Sequence, residues 1–134
     1  MTKSKQDIVE QYFETFNGGY FRSMLDLLDD NVVHDTNLLQ GEKGKKAFEA
    51  FLNRQNECYQ ERIHDIIIMT NESSNNAAAE FYVTGTYKKT EPGQPAARGQ
   101  VYTIRCGAFF EFNGEKILRV TTYYNLQEWL DKVR

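Results

Sequence analysis

The chain has 134 residues, 40% of them hydrophobic, with 16 Lys and Arg against 19 Asp and Glu for a formal charge of −3, which suits one domain around one core and leaves too little length for two. Neither sign forms a block, so no basic stripe is available for a nucleic-acid backbone, and Lys43, Lys45 and Lys46 read as a solvated helix start. The segment Met1 to Asp7 turns amphipathic without the apolar stretch of a signal peptide, and no run is long enough to span a bilayer, so a cytoplasmic location is expected.

Ser4 with Asp7 has the spacing of a helix start, and Ile8, Val9, Tyr12, Phe13 and Phe16 recur at helical period up to Asn17-Gly18-Gly19. A second helix follows with Tyr20, Phe21, Met24, Leu25, Leu27 and Leu28 on its apolar side, and Asp29-Asp30-Asn31 reads as the turn that closes it. Val32 to Thr36 reads as a short strand. Gly41 and Gly44 then flank a loop into a third helix carrying Ala47, Phe48, Phe51, Leu52, Cys58 and Tyr59.

From Glu61 onward the period changes to that of strands: Ile63 to Thr70, Ala77 to Lys89, Gln100 to Phe112 and Lys116 to Tyr124, an antiparallel meander. Asn75-Asn76, Pro92-Gly93 and Asn113-Gly114 mark its connections, the last with the composition of a type I′ hairpin turn. A short final helix starts at Asn125 with Glu128 in capping position and Trp129 and Leu130 on its apolar face. Gly85 and Gly107 lie inside strands, where a glycine weakens the sheet unless the strand bends, bulges or admits something close. The pattern is α+β, a curved antiparallel sheet wrapped by three N-terminal helices.

Alternation puts Phe81 and Val83, then Tyr102, Ile104, Cys106, Ala108 and Phe110, then Leu118, Val120, Thr122 and Tyr124 on an inner face. Phe16 joins them from the first helix. Phe16, Phe81, Val83, Tyr102, Phe110, Val120 and Tyr124 are therefore the candidate lining of a pocket for a small apolar molecule, although periodicity fits a filled core equally well. The opposite face carries Arg105, Glu111 and Arg119 but also Tyr82, Phe109 and Tyr123, which suggests that a second copy of the chain covers it as a homodimer.

Asp35 is the candidate acid. Among Val32, Val33, Leu38 and Leu39 it reads as buried and inward, where desolvation would raise its pKa toward that of a general base; the alternative is a carboxylate bonded to nearby loop backbone. His34 then falls on the other face as a surface or interface histidine. His34 and His64 lack companions at metal-ligand spacing, Cys58 and Cys106 read as buried free thiols, and no nucleophile elbow or phosphate loop is present, so neither metal nor cofactor is expected.

Tyr12-Phe13-Glu14-Thr15-Phe16-Asn17, Asp29-Asp30-Asn31 and Val32-Val33-His34-Asp35 resemble the N-terminal half of ketosteroid isomerase. Gly85-Thr86-Tyr87, Ala108 to Phe112, the Asn-Gly hairpin and Ile117 to Tyr124 are similar to the sheet of the nuclear transport factor 2-like superfamily, which includes SnoaL-like polyketide cyclases. The resemblance covers nearly the whole chain and implies one SnoaL-like, ketosteroid isomerase-related domain over residues 1–134. It implies a cone-shaped cystatin-like fold, an apolar pocket and a dimer through the open sheet face. It also implies proton transfer of isomerase or cyclase type on an enolisable carbonyl, with Asp35 as base and Tyr12 as donor to the enolate oxygen. The isomerase's second oxyanion acid falls on Ala108 and its supporting tyrosine on Leu52, leaving Tyr59, Tyr102 or Tyr124 as substitute donors. A non-catalytic binding module and a dimeric interaction domain with a filled cup stand beside the enzyme reading.

Overall fold

Helix α1 (Lys5–Gly18) opens on a capping box, the Ser4 hydroxyl accepting from the Asp7 amide and the Asp7 carboxylate from the Ser4 amide, and buries Ile8, Val9, Tyr12 and Phe13 along one stripe. The computed structural model describes residues 3–134; Met1 and Thr2, which the domain reading includes, lie outside the described residues. Helix α2 (Phe21–Asp26) is short, and strand β1 (Leu28–Thr36) already contains Asp29, Asp30 and Asn31, so the acidic triplet is strand where a turn was expected. Strand β2 (Leu39–Lys43), expected as loop, pairs back on β1 before α3 (Lys45–Cys58). Then come β3 (Tyr59–Thr70), β4 (Asn76–Tyr87), β5 (Gln100–Asn113), β6 (Lys116–Tyr124) and α4 (Leu126–Val133).

One six-stranded sheet runs in the order β2-β1-β6-β5-β4-β3. The β3 to β6 meander is antiparallel as expected, while β1 joins β6 in parallel. The sheet curves where its ladders slip. The β3–β4 register shifts between His64 and Ile67, beside Asp65 at φ 53°. In β6 an extra residue at Leu118 separates Ile117 and Arg119, which face Phe112 and Glu111; Ile117, not Leu118, therefore enters the core. Asn113 pairs with Lys116, so the central residues of the β5–β6 turn are Gly114, at φ 62°, and Glu115, which is not in the left-handed region, and the hairpin lacks the paired positive φ of a type I′ turn.

The inner face packs on α1 through Phe13, Phe81 and Phe110, with ring centroids 5.0 Å (Phe13–Phe81) and 6.0 Å (Phe13–Phe110) apart. Helix α4, capped by Asn125 on the Glu128 amide, closes the far end by setting Trp129 against Tyr59, Tyr87 and Tyr102. Tyr102, Phe110 and Val120 are consumed in this packing at 2%, 0% and 0% exposure. They support the cavity from behind and do not line it, contrary to the expectation for those three. No helix among the described residues is long and apolar enough to cross a membrane.

Candidate functional site

Between the sheet and α1 and α3 lies a cavity of about 510 Å³, so the cup is not filled by its own side chains. Tyr12, Phe16, Phe81, Val83 and Tyr124 line it as expected, together with Phe13, Ile63, Ile104, Cys106 and Ala108. Tyr12 is buried with its ring edge-on to Phe110 at 5.3 Å, and burial raises its pKa, which keeps the hydroxyl a donor.

Asp35 does not face the cavity. Its carboxylate accepts from the Gly41 amide at 2.7 Å and from the Thr121 hydroxyl at 2.9 Å, on the outer side of the sheet. The inward positions of β1 are Val32, His34 and Thr36: Val32 and His34 are buried, and His34 and Thr36 line the cavity. Adjacent Val32 and Val33 make either alternation phase plausible from sequence; the bonding capacity of Asp35 decides it, because the Gly41 amide of β2 and the Thr121 hydroxyl satisfy a carboxylate on the outer face alone. His34 is correspondingly a buried cavity residue and not a surface one.

The imidazole of His34 lies between Phe48 and Phe51, with ring centroids 4.4 and 4.5 Å away, and its Nδ1 is buried without a partner. Desolvation, opposed by the Asp35 charge and reinforced by that of Arg54, lowers its pKa to about 4, so the ring is neutral at physiological pH. With Nδ1 enclosed, Nε2 is the nitrogen able to meet a ligand.

Besides Glu91, which reaches the wall from the connection after β4, the cavity is lined by one acid from the sheet itself, Glu61 on β3. Gln55 Nε2, from α3, donates to its Oε1 at 2.5 Å, and the Tyr102 hydroxyl donates to its Oε2. Burial dominates over both of these bonds and raises the carboxyl to about 7. Glu61 faces Gly85 across the β3–β4 ladder, and a Cβ at Gly85 would stand 2.5 Å from the Tyr102 hydroxyl oxygen and 2.9 Å from Glu61 Cγ. This glycine admits the close approach of the pair; Gly107, whose Cβ would meet nothing nearer than 3.8 Å, has no such role.

Glu61 is not evident from sequence because the strand pattern is clear only from Ile63. Tyr59, assigned there to the third helix, already has extended geometry at φ −133° and ψ 153°, and alternation from Tyr59 through Glu61 to Ile63 carries the acid inward.

With this geometry in view, the family model for the SnoaL-like domain matches residues 9–120. The chain belongs to the SnoaL-like domain family. This SnoaL-like domain is 43% identical to a proposed polyketide cyclase from Pseudomonas putida, with TM-score 0.93 and 96% of each chain covered. A second proposed polyketide cyclase, from Xanthomonas campestris, is 42% identical, with TM-score 0.90 and coverage of 95% and 94%. An NTF2-like protein from Burkholderia xenovorans, 13% identical, shares the fold at TM-score 0.79 over 100% of this chain and 98% of its own. These likenesses give the SnoaL-like domain a nuclear transport factor 2-like fold, with mixed α+β architecture and a curved, unclosed sheet. No protein with a curated description matches the chain.

Glu61 and His34 give the SnoaL-like domain opposed pH responses. Between the ordinary carboxylate range and about pH 7 the folded chain holds a proton on Glu61 that the unfolded chain has lost, so this group's contribution to stability falls as pH rises through that window. His34 is neutral when folded and protonated when unfolded between about pH 4 and the ordinary imidazole value of 6.5, so its contribution falls as pH drops. Urea unfolding at pH 5 and pH 8 should show Glu61→Gln gaining stability over wild type at pH 8 and little at pH 5. His34→Phe should gain at pH 5 and little at pH 8.

Proposed function

We propose that this SnoaL-like domain is a proton-transfer enzyme of isomerase or cyclase type acting on a small apolar compound with an enolisable carbonyl, with Glu61 as the proton-exchanging group and Tyr12 as donor to the enolate oxygen. The observation that carries the reading is a carboxyl on an apolar cavity wall, raised to about 7 by burial and aimed by Tyr102 and Gln55. The similarity to two proposed polyketide cyclases supports the reaction class.

In the first step ionised Glu61 takes a proton from the carbon beside the carbonyl. The C–H electrons form the enolate C=C bond, and the charge arriving on oxygen meets the Tyr12 hydroxyl, with the neutral His34 ring as a second donor from β1. An isomerase then returns the proton from Glu61 to a different carbon. In a cyclase the enolate carbon attacks a second carbonyl of the same molecule, and the protonated Glu61 neutralises the alkoxide. Ala108 on the wall offers no acid to the oxyanion and favours the other reading, a binding module that only sequesters such a compound.

Against an enolisable bicyclic ketone, exchange of the α-proton for deuterium should follow an ascending pH limb near 7. Glu61→Gln should lower the exchange rate by about 10²–10⁴-fold while ligand binding persists; unchanged exchange would leave the binding module.

The homodimer belongs to the same proposal. Rows Met69-Ala78-Phe109-Thr121 and Ile67-Glu80-Gly107-Tyr123 run side by side across the outer face of β3 to β6. Ile67, Met69, Phe109 and Tyr123 are exposed there at 58%, 51%, 46% and 56%. That much apolar surface on an open sheet supports pairing with a second copy. Sedimentation should give a dimer for wild type and a folded monomer for Phe109→Asp/Tyr123→Asp. The two free, buried cysteines are in keeping with a reducing cytoplasm.

A further inference from the structure

Arg54 is the sole Lys or Arg among the described residues that line the cavity. It projects from α3, where its guanidinium carbon lies 5.8 Å from the centre of the Phe51 ring, and Phe51 in turn packs edge-on against His34. Facing it is the connection between β4 and β5, which brings Glu91, Pro92 and Gln94 to the wall. That connection is held in place by the Tyr87 hydroxyl, which accepts from the Glu91 amide at 3.0 Å and donates to the Pro95 carbonyl at 2.6 Å. The Thr90 hydroxyl adds a bond from the Ala97 amide at 2.9 Å.

Arg54 and Glu91 are nearest at 3.9 Å, from Nε to Oε2, which is beyond hydrogen-bond length. The Glu91 side chain is only 16% exposed, so its charge is largely removed from water without a bidentate contact in return. Desolvation lifts its carboxyl above the usual range against the opposing Arg54 charge and Tyr59 hydroxyl. The Arg54 side chain, by contrast, is 45% exposed, and its guanidinium keeps its fork of donors unspent on Glu91. A planar carboxylate entering here would meet an arginine already oriented by an aromatic ring, and would gain two charge-assisted hydrogen bonds where Glu91 has none.

We propose that the Arg54 end of the cavity is a carboxylate subsite, and that the ligand class is apolar, ring-sized oxo acids whose carboxylate displaces Glu91 from Arg54. The position of the oxo group rests on the reading of Glu61 as the proton-exchanging residue; the carboxylate subsite does not. Gln55, which holds Glu61, is the next residue after Arg54 on α3, so the anchoring cation and the reacting group share one wall. Apart from His34, Thr36 and Thr122, the rest of the lining is apolar or phenolic and suits a hydrocarbon ring between the two ends.

The test compares 6-hydroxy-2-naphthoic acid with its methyl ester, which differ in the charge at one end, by fluorescence titration of the full chain at pH 8. Wild type should bind the acid about tenfold or more tightly than the ester. Arg54→Gln should reduce that ratio to near one by weakening the acid alone, Arg54→Lys should keep part of it, and Glu91→Gln should enlarge it. Glu61→Gln should leave the ratio standing, so a ratio that persists while α-proton exchange also survives in Glu61→Gln would sink the base assignment and not the subsite. Equal binding of acid and ester by wild type, a ratio indifferent to Arg54→Gln, or no binding of either probe would overturn the subsite.

Discussion

A carboxyl group removed from water must be paired, protonated or used, and in this domain the group is Glu61. Tyr102 and Gln55 each donate to one of its oxygens, too little to offset its burial, and the residual cost appears as a proton affinity near neutrality. The neighbourhood is shaped around that pair. Gly85 gives up its side chain so that Tyr102 can pass over β4, and α4 backs Tyr102 with Trp129, the ring centroids 6.2 Å apart. The hydrogen bond fixes the direction of the carboxyl, the cavity supplies the low dielectric, and the carboxyl holds its proton to near neutrality.

Strand β1 shows the same economy with opposite sign. His34 is inward among phenylalanines and kept neutral, and Asp35 is outward, satisfied by Gly41 and Thr121. The resemblance to ketosteroid isomerase assigns the base to Asp35, but the strand turns that residue away, and the acid that the sheet brings to the cavity wall comes from β3 instead. A shared fold carries a cavity from relative to relative more reliably than it carries the position of the acid within it.

The helices and the meander are legible in the sequence because α1 and α4 carry their caps and stripes openly, and β4 and β5 keep a period of two, with Glu80, Arg105 and Glu111 all falling on the face opposite the buried residues. The apolar outer patch at Phe109 and Tyr123 is visible for the same reason. What is hidden turns on single-residue phase. Val32 and Val33 are equally apolar, so nothing local tells which of His34 and Asp35 points inward; the answer lies in Thr121, distant in sequence and adjacent across the β1–β6 ladder. Tyr59 is the C-cap of α3 and the first residue of β3, and reading it as helix conceals the alternation that brings Glu61 inward. Tyr102, Phe110 and Val120 are rightly inward yet packed, because which inward residues meet empty space depends on how far α1 and α4 stand from the curved sheet, a quantity no period encodes.

The central claim is that Glu61 titrates near neutrality on the cavity wall. Carbon NMR of the chain labelled at the glutamate side-chain carboxyls measures it directly. The account predicts one resonance with a midpoint near 7 that vanishes in Glu61→Gln and moves upward in Tyr102→Phe, where the ionised form loses a donor. A Glu61 carboxyl titrating with the exposed glutamates, and indifferent to Tyr102, would contradict it.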